Sequence, residues 1–532
     1  MAATVKPRRS QPILLALVGL ALVAVVGLSV FTLPVNWSLV EVALLFGVAA
    51  WLVLLRTGRD FVGILLAALI VGYFQGLLTK LLGNRLPDSV WGLLKYGLLG
   101  LMAIGLLLRA AQGQRVRLNR TLMAWLVCWG LTWLLLVYLM LEAKRANPAY
   151  SPVGTIQIFA VANMALLPLT YLQLRRSDLD AGLALLIGAG VLAAVFGIAQ
   201  RLVGPNWLAA HGLISLDPAQ IIASQTFLPG GNDPQLAFLD VKNGFRAFSF
   251  FDSQHGFSAF LILPVLALQI QRLRGRVRAT TYWLCLALMA GGFLVTFNFT
   301  NALTCGFALL VLALLQRRDN RRSLVRVLLS RRLWQRGLVV LILGLLLTIT
   351  VPSLRARLLT LLVVSTNGQG AGASLAYRLQ GVQNGLQALT DYPLGLGLYL
   401  NSSAGAAFIP ALNFYARIPD YFGQRTLFFS GDNWFEWLTV QIGLPGFALY
   451  AALFLIPIVY GWWWHRSVRD RDLRILARGC LALLIAVFVA GLSNSALLAF
   501  PPSNWLVWIA GGILLKAPVW DRESQRTDAD RH

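Results

Sequence analysis

Apolar residues occur along this chain in long, uninterrupted blocks, with neither the alternation of a half-buried strand nor the one-sided stripe of a soluble helix. Blocks long enough, or nearly so, to cross a bilayer fall at 13–33, 37–55, 61–82, 90–108, 121–141, 153–174, 179–203, 255–271, 280–297, 300–316, 337–353, 434–464, 474–494 and 503–517. About 20 apolar residues in a helix cover the hydrocarbon core. The pattern therefore predicts an all-α polytopic protein with about 14 membrane helices. The short pair 280–297 and 300–316 lowers the count to 12 if it forms a hairpin that does not fully cross.

One stretch breaks the pattern. Over 374–391, Leu375, Leu379, Val382, Leu386 and Leu389 recur at helical spacing, while Arg378, Gln383, Asn384 and Gln387 fall off that stripe. This is an amphipathic helix suited to a membrane surface. Pro393 ends it, and the glycines of Leu394-Gly-Leu-Gly-Leu398 make a tight connector.

Composition and charge sharpen this picture. Of 532 residues, 58% are hydrophobic and 12% charged, a balance no soluble domain has. The net charge of +24 suggests a polyanion until the charges are placed. With the amino terminus in the cytosol and the blocks alternating, the cytosolic segments hold 32 basic against 10 acidic residues, +22, and the outer ones 13 against 11, +2. That asymmetry is the positive-inside signature, and it excludes a nucleic-acid footprint. Both termini are then cytosolic. The first block lacks a small-residue cleavage site and reads as a retained helix. Cys128, Cys285, Cys305 and Cys480 all lie within apolar blocks, which argues against disulfides and Cys-based metal sites.

The organisation that follows is a bundle over 1–203, a first outer loop over 204–254, central helices over 255–353, a long outer loop over 354–433, helices over 434–517 and a cytosolic tail over 518–532, charged and expected to be disordered from Asp521 on. Only the two outer loops are long, and long loops in compact proteins carry function. The blocks hold no acids near their centres, as an ion-coupled transporter would need.

Three outer clusters are candidates for chemistry. Arg246 leads an aromatic run into Asp252, Ser253 and His255 at a helix start. An interfacial aromatic belt with an Asp or Ser cap explains the aromatics and Asp252. It does not explain an arginine on the charge-poor side, and a guanidinium can hold a diphosphate through two hydrogen bonds. Arg378 on the amphipathic helix, with Arg355 and Arg357 upstream, adds to an anion site, although lipid phosphates also account for a basic residue there. Asp432 and Glu436 stand one turn apart at the start of a helix. They read either as a cap and a dipole contact or as a general base toward a sugar hydroxyl. The D-x-D pairs Asp178/Asp180, Asp470/Asp472 and Asp528/Asp530 lie on the cytosolic side beside arginines and read as solvated charge. No metal-ligand spacing occurs in the outer loops, so neither metal nor cofactor is expected.

Three of these stretches together resemble the O-antigen ligase/O-antigen polymerase family of envelope glycosyltransferases. They are RAFSFFDSQHGFSAFLILPVLAL from Arg246, YRLQGVQNGLQALTDYPLGLGL from Tyr377 and DNWFEWLTVQIGLPGFALY from Asp432, covering about 240 to 460. The departures are specific. The family histidine falls on Asp432, its acid falls near Gln441, and its Thr-x-Ser-Arg turn reads Phe299-Thr-Asn-Ala-Leu-Thr-Cys305 without an arginine. The missing histidine favours the polymerase-type branch over the ligase. The resemblance implies a lipid-dependent glycosyltransferase (GT-C type) fold in a bacterial inner membrane. It implies an undecaprenyl diphosphate-linked glycan as donor, an acceptor glycan or lipid, and a flippase and chain-length regulator as partners. By that resemblance Arg246, Arg378 and Arg357 hold the diphosphate and Asp432 or Glu436 activates the acceptor, with His255 and Asp252 as accessory groups. The competing readings are a transporter or flippase of the same lipids and a non-catalytic polysaccharide-assembly protein.

Overall fold

The computed structural model describes residues 119–146, 159–210, 239–240, 244–245, 247–251, 254–296, 298–317, 434–491, 496–499 and 503–529, with single positions between 382 and 398. These form an all-helical bundle. Its helices are α1 Arg120–Ala146, α2 Leu166–Gln173, α3 Leu179–Ala210, α4 Gln254–Leu273, α5 Ala279–Thr296, α6 Phe299–Arg317, α7 Trp434–Trp464, α8 Arg471–Ala490, α9 Ala496–Ala499 and α10 Ser503–Ala529. Two-residue strands, β1 Leu239–Asp240 and β2 Gly244–Phe245, pair antiparallel ahead of α4.

Six helical segments are long and apolar enough to cross a membrane: Arg120–Arg145, Arg176–Gly204, Gln254–Leu273, Ala279–Thr296, Leu438–Trp464 and Arg471–Ala490. They match the blocks beginning at 121, 179, 255, 280, 434 and 474. The blocks at 13, 37, 61, 90 and 337 lie outside the described residues. α4 is the central helix of the bundle and is buried along nearly its whole length, whereas α1 exposes Val127, Leu131, Leu134 and Leu141. In a bilayer those side chains face lipid, so burial separates the core helix from the rim. The antiparallel pair α5 and α6 runs the full length of α4. Tyr282 Oη donates to Gln269 near one end at 2.7 Å, and Asn298 meets His255 near the other at 2.8 Å.

Basic and acidic residues gather at one end. Arg274 and Arg276 each bind both Asp180 and Asp472, and Arg176 binds Asp470 and Ser524. Gln316 accepts from Arg478 at 3.1 Å, and Lys516 donates to Leu174 O at 2.6 Å. The ends of α3, α4, α6, α8 and α10 assigned to the cytosol thus lie together. Asp180, Asp470 and Asp472 of the D-x-D pairs belong to this ion lattice, and Asp470 also caps α8.

Three expectations are corrected. The block 153–174 is not one straight helix: the described part has a turn at 160–162, a 3-10 turn at Asn163–Ala165 and only then α2. The tail is not disordered over its described part, because α10 continues to Ala529. Asp521 anchors it, buried and accepting from the Arg469 and Asp470 N–H groups that precede α8. The run 434–464 is not one straight span, for the reason given next.

Candidate functional site

The end opposite the ion lattice holds the described starts of the first and third singled-out stretches and the described part of the second. In α7 the sequence Gly443-Leu-Pro-Gly446 cannot continue a helix. The carbonyl of Gln441 would normally accept from residue 445, and Pro445 has no N–H. Gly443 takes φ 62° and ψ −163°, a region open essentially to glycine alone. The chain reverses there. The Trp434 ring packs on Tyr450 at 5.8 Å and on Phe454 at 5.5 Å. A straight helix would hold positions 434 and 450 about 24 Å apart. α7 is therefore a helical hairpin whose shorter arm, 434–442, folds back on 444–464 with Phe435 against Phe447 at 5.0 Å. The foot of the short arm is tied to α8, since Trp434 N donates to Gly491 O at 3.0 Å.

The connector after the amphipathic stretch closes the gap that this reversal opens. Gly397 N donates to Gln441 O at 3.0 Å, and Leu444 N donates to Pro393 O at 2.8 Å. Gln441 O and Leu444 N, each without its partner in the α7 ladder, are thereby satisfied. Gly395 and Gly397 have φ of 82° and 94°. A Cβ on Gly395 would lie 2.6 Å from Gln441 O and from Gly443 N, so the two glycine turns interlock through bare backbone. Residues 393–395, 397 and 398 form a strap over the hairpin tip. Upstream, Val382, Gly385, Leu386, Leu389 and Thr390 are helical, as the stripe predicts. Gly385 is buried, where an added Cβ would meet Thr439 and Phe435 of the short arm, and Leu386 stays 54% exposed. That leaves Leu386, on the apolar stripe, facing outward.

The first stretch is held differently. Residues 247–251 lie against α3 and α5 through Ala247 N to Val295 O at 3.0 Å. Ser249 has φ 55°, uncommon for a residue with a side chain. Gln200 holds it there, accepting from Ser249 N at 2.7 Å and donating to Ser249 O at 2.9 Å, while Ser249 Oγ donates to Ala193 O at 2.8 Å. The aromatic run is mostly core: Phe248, Phe251, Phe257 and Phe260 are buried, and Phe250 stacks on Phe196 at 4.2 Å. The belt expectation is corrected accordingly. Glycines let the helices close around these rings, as where Gly197 faces Phe257.

His255 opens α4, half-buried, with Nδ1 at 2.8 Å from the Asn298 amide. Asn301 is fully buried and donates to Ser258 Oγ at 2.8 Å and to His255 O at 3.3 Å. Asn298 also caps α6 through Asn301 N. The turn at 298–301 is thus a carboxamide clamp on His255.

Of the predicted site residues, His255 is placed in this clamp. Glu436 lies on the short arm of α7, with its backbone alone described. Arg246, Asp252, Arg357, Arg378 and Asp432 lie outside the described residues. Gln200, Asn298 and Asn301 were not foreseen. Gln200 carried a signal, as a lone carboxamide inside the apolar block 179–203. Among the described residues no three His, Cys, Asp or Glu side chains gather, so none is assigned to a metal.

No family model matches the chain, and no curated protein matches it either. What the fold defines is a class: among the described residues, an all-helical bundle with six segments able to span a membrane. Its broken and strapped helical hairpin stands at the end away from its basic lattice.

Proposed function

We propose that this protein is a metal-independent glycosyltransferase that transfers or polymerises undecaprenyl diphosphate-linked glycan units at the outer face of a bacterial inner membrane, the polymerase-type reaction before the ligase-type. One observation carries the reading. The second and third resembling stretches, far apart in sequence, form one structural unit, the strap at 393–395, 397 and 398 hydrogen-bonded into the break at 441–444. The motif glycines are the residues that such an interlock needs.

In the proposed reaction Arg246 and Arg378 hold the diphosphate, so that the leaving group departs without a metal to neutralise it. Arg357 reinforces them. Asp432 or Glu436 takes the proton from the acceptor hydroxyl as it attacks the anomeric carbon. His255, fixed by Asn298, is an accessory polar group near the start of α4.

The test is the lipid-linked product of cells carrying Arg378→Ala. Undecaprenyl diphosphate-linked single repeats should accumulate and long glycan should disappear. Arg378→Lys should fail as well, because it keeps the charge and loses the two-pronged hydrogen bond. Glycan of normal length in the Arg378→Ala strain sinks the assignment.

A further inference from the structure

Four helices of the bundle leave a cleft between them, with about 640 Å³ of empty space when its open side is included. α3, α4, α8 and α10 each line it over two turns, within 179–186, 263–270, 476–483 and 506–513. At 1.5 Å per residue the cleft is about 10 Å deep. α3 packs along α4 and α10 along α8, and among the described residues no comparable packing joins α3 to α10. Leu183 and Ile513, on those two helices, line the cleft and are only half-buried. The cleft therefore opens sideways between α3 and α10. One end of it abuts the ion lattice. Arg274 stands one turn beyond Ile270, Asp472 one turn before Leu476 and Lys516 one turn beyond Ile513.

The lining is almost entirely hydrocarbon, and Asp178 is its one charged residue. Water finds too few partners in such a space, and leaving it empty forfeits dispersion contacts along four walls. Three of the walls belong to segments able to span a membrane, so a slot open sideways there faces lipid chains. The mouth says which lipid. Leu174 lines it, and Lys516 Nζ donates to Leu174 O at 2.6 Å, which puts the ammonium group at the mouth. Arg175, next in the chain, is exposed and lies outside the ion pairs of the lattice. Asp180 and Asp472 are already matched by Arg274 and Arg276, and Asp470 by Arg176. Asp178, whose Oδ1 accepts from Ser177 Oγ at 2.9 Å, is then one carboxylate against two cations. We infer that this cleft holds one acyl chain of an anionic phospholipid from the leaflet at the basic end, with the lipid phosphate between Arg175 and Lys516. A basic mouth between membrane helices suits an anionic head group. The chain fills the gap between α3 and α10, so the lipid joins two helices that do not pack on each other. The site is independent of the reaction proposed above.

The experiment places the full chain in nanodiscs that contain phosphatidylglycerol with a photoreactive diazirine in one acyl chain, and maps the labelled residues by peptide mass spectrometry. Label should appear within 179–186 and 506–513, and also on the exposed face of α1 at Val127, Leu131 and Leu134, which reports ordinary surrounding lipid. The same diazirine chain on phosphatidylcholine should label α1 equally and the cleft at least about fivefold less, the worth of one basic residue beside an anionic lipid. Arg175→Gln should cut the cleft's preference for phosphatidylglycerol by about fivefold and leave the α1 label unchanged. Ala510→Phe puts a ring into the cleft and should erase the cleft label from both lipids. Equal cleft labelling by the two lipids overturns the site, since the cleft then takes lipid without reading its charge. A cleft that stays unlabelled while α1 is labelled overturns it too, whether the space is empty or covered by another segment of the chain. If Ala510→Phe does not fold, Arg175→Gln, at an exposed position, decides alone.

Discussion

At the scale of single residues, the polar groups inside the apolar blocks carry the most information. Gln200 is the clearest case. It satisfies Ser249 N–H and Ser249 O together and holds Ser249 at positive φ. Gln200→Leu keeps the bulk and orphans two buried backbone groups, each of which costs about 1–3 kcal/mol. We expect a loss of about 3 kcal/mol, read as a lowered melting midpoint in detergent, with the segment 247–251 exchanging its amides faster. A midpoint equal to wild type would show that Ser249 keeps its conformation unaided. His255 was legible from sequence as a polar residue at a helix start, but its Asn298 and Asn301 clamp was not. Those two residues read only as a turn between weak helices, and nothing in their spacing points across to α4.

At the scale of elements, hydropathy located the helices well and their directions poorly. The predicted end at 203 meets the observed break at Gly204, and the predicted start at 255 lies one residue from that of α4. The run 434–464 hid a reversal, because a hydropathy window adds up apolarity and is blind to a change of direction within it. The local chemistry held the signal. Pro445 removes a donor, and the glycine two residues before it permits the conformation that uses the gap. Gly443→Ala tests the interlock. The new Cβ would fall on the backbone of Leu394 and Gly395 and would demand a glycine-only conformation. The cost should be at least about 3 kcal/mol and should free the strap. Gly130→Ala is the control, since a Cβ there meets nothing within 4 Å. It should be neutral or stabilise by up to about 1 kcal/mol. Limited proteolysis at 393–398 should rise in the first variant and stay at the wild-type rate in the second.

At the scale of the whole molecule, the two ends of the bundle obey different physics. Among the described residues, the end with the strap is held by neutral amides and bare backbone, and the opposite end by charge. There the ion lattice joins α3, α4, α8 and α10, so acid should loosen the bundle from that end first. Two groups set the pH window. Burial holds His465 below the ordinary imidazole value of 6.5, with Arg478 and Arg466 pushing the same way against the Gly461 carbonyl that its ring meets. Burial raises Asp470, but the N–H groups of Leu473 and Asp472 and the Arg176 guanidinium outweigh it and hold the carboxyl below its ordinary value. Both folded pKa values lie below the unfolded ones. Each group therefore adds stability that is complete above its unfolded pKa and is lost as pH falls through its folded pKa. Stability should be flat above about 6.5 and fall in two acid steps, the first from His465 and the second from Asp470. His465→Gln cannot take up the proton and should erase the first step alone. Asp470→Asn should erase the second and lower the midpoint at neutral pH, where it breaks the contact to Arg176 and weakens the cap of α8. Salt gives an independent reading, because added ions weaken attraction between exposed charges, with a screening length of about 8 Å at physiological strength. Added salt should lower the neutral-pH midpoint of wild type more than that of Asp470→Asn. Equal salt slopes, or melting that ignores acid down to the carboxylate range, would mean that the lattice marks one end of the bundle without holding it together.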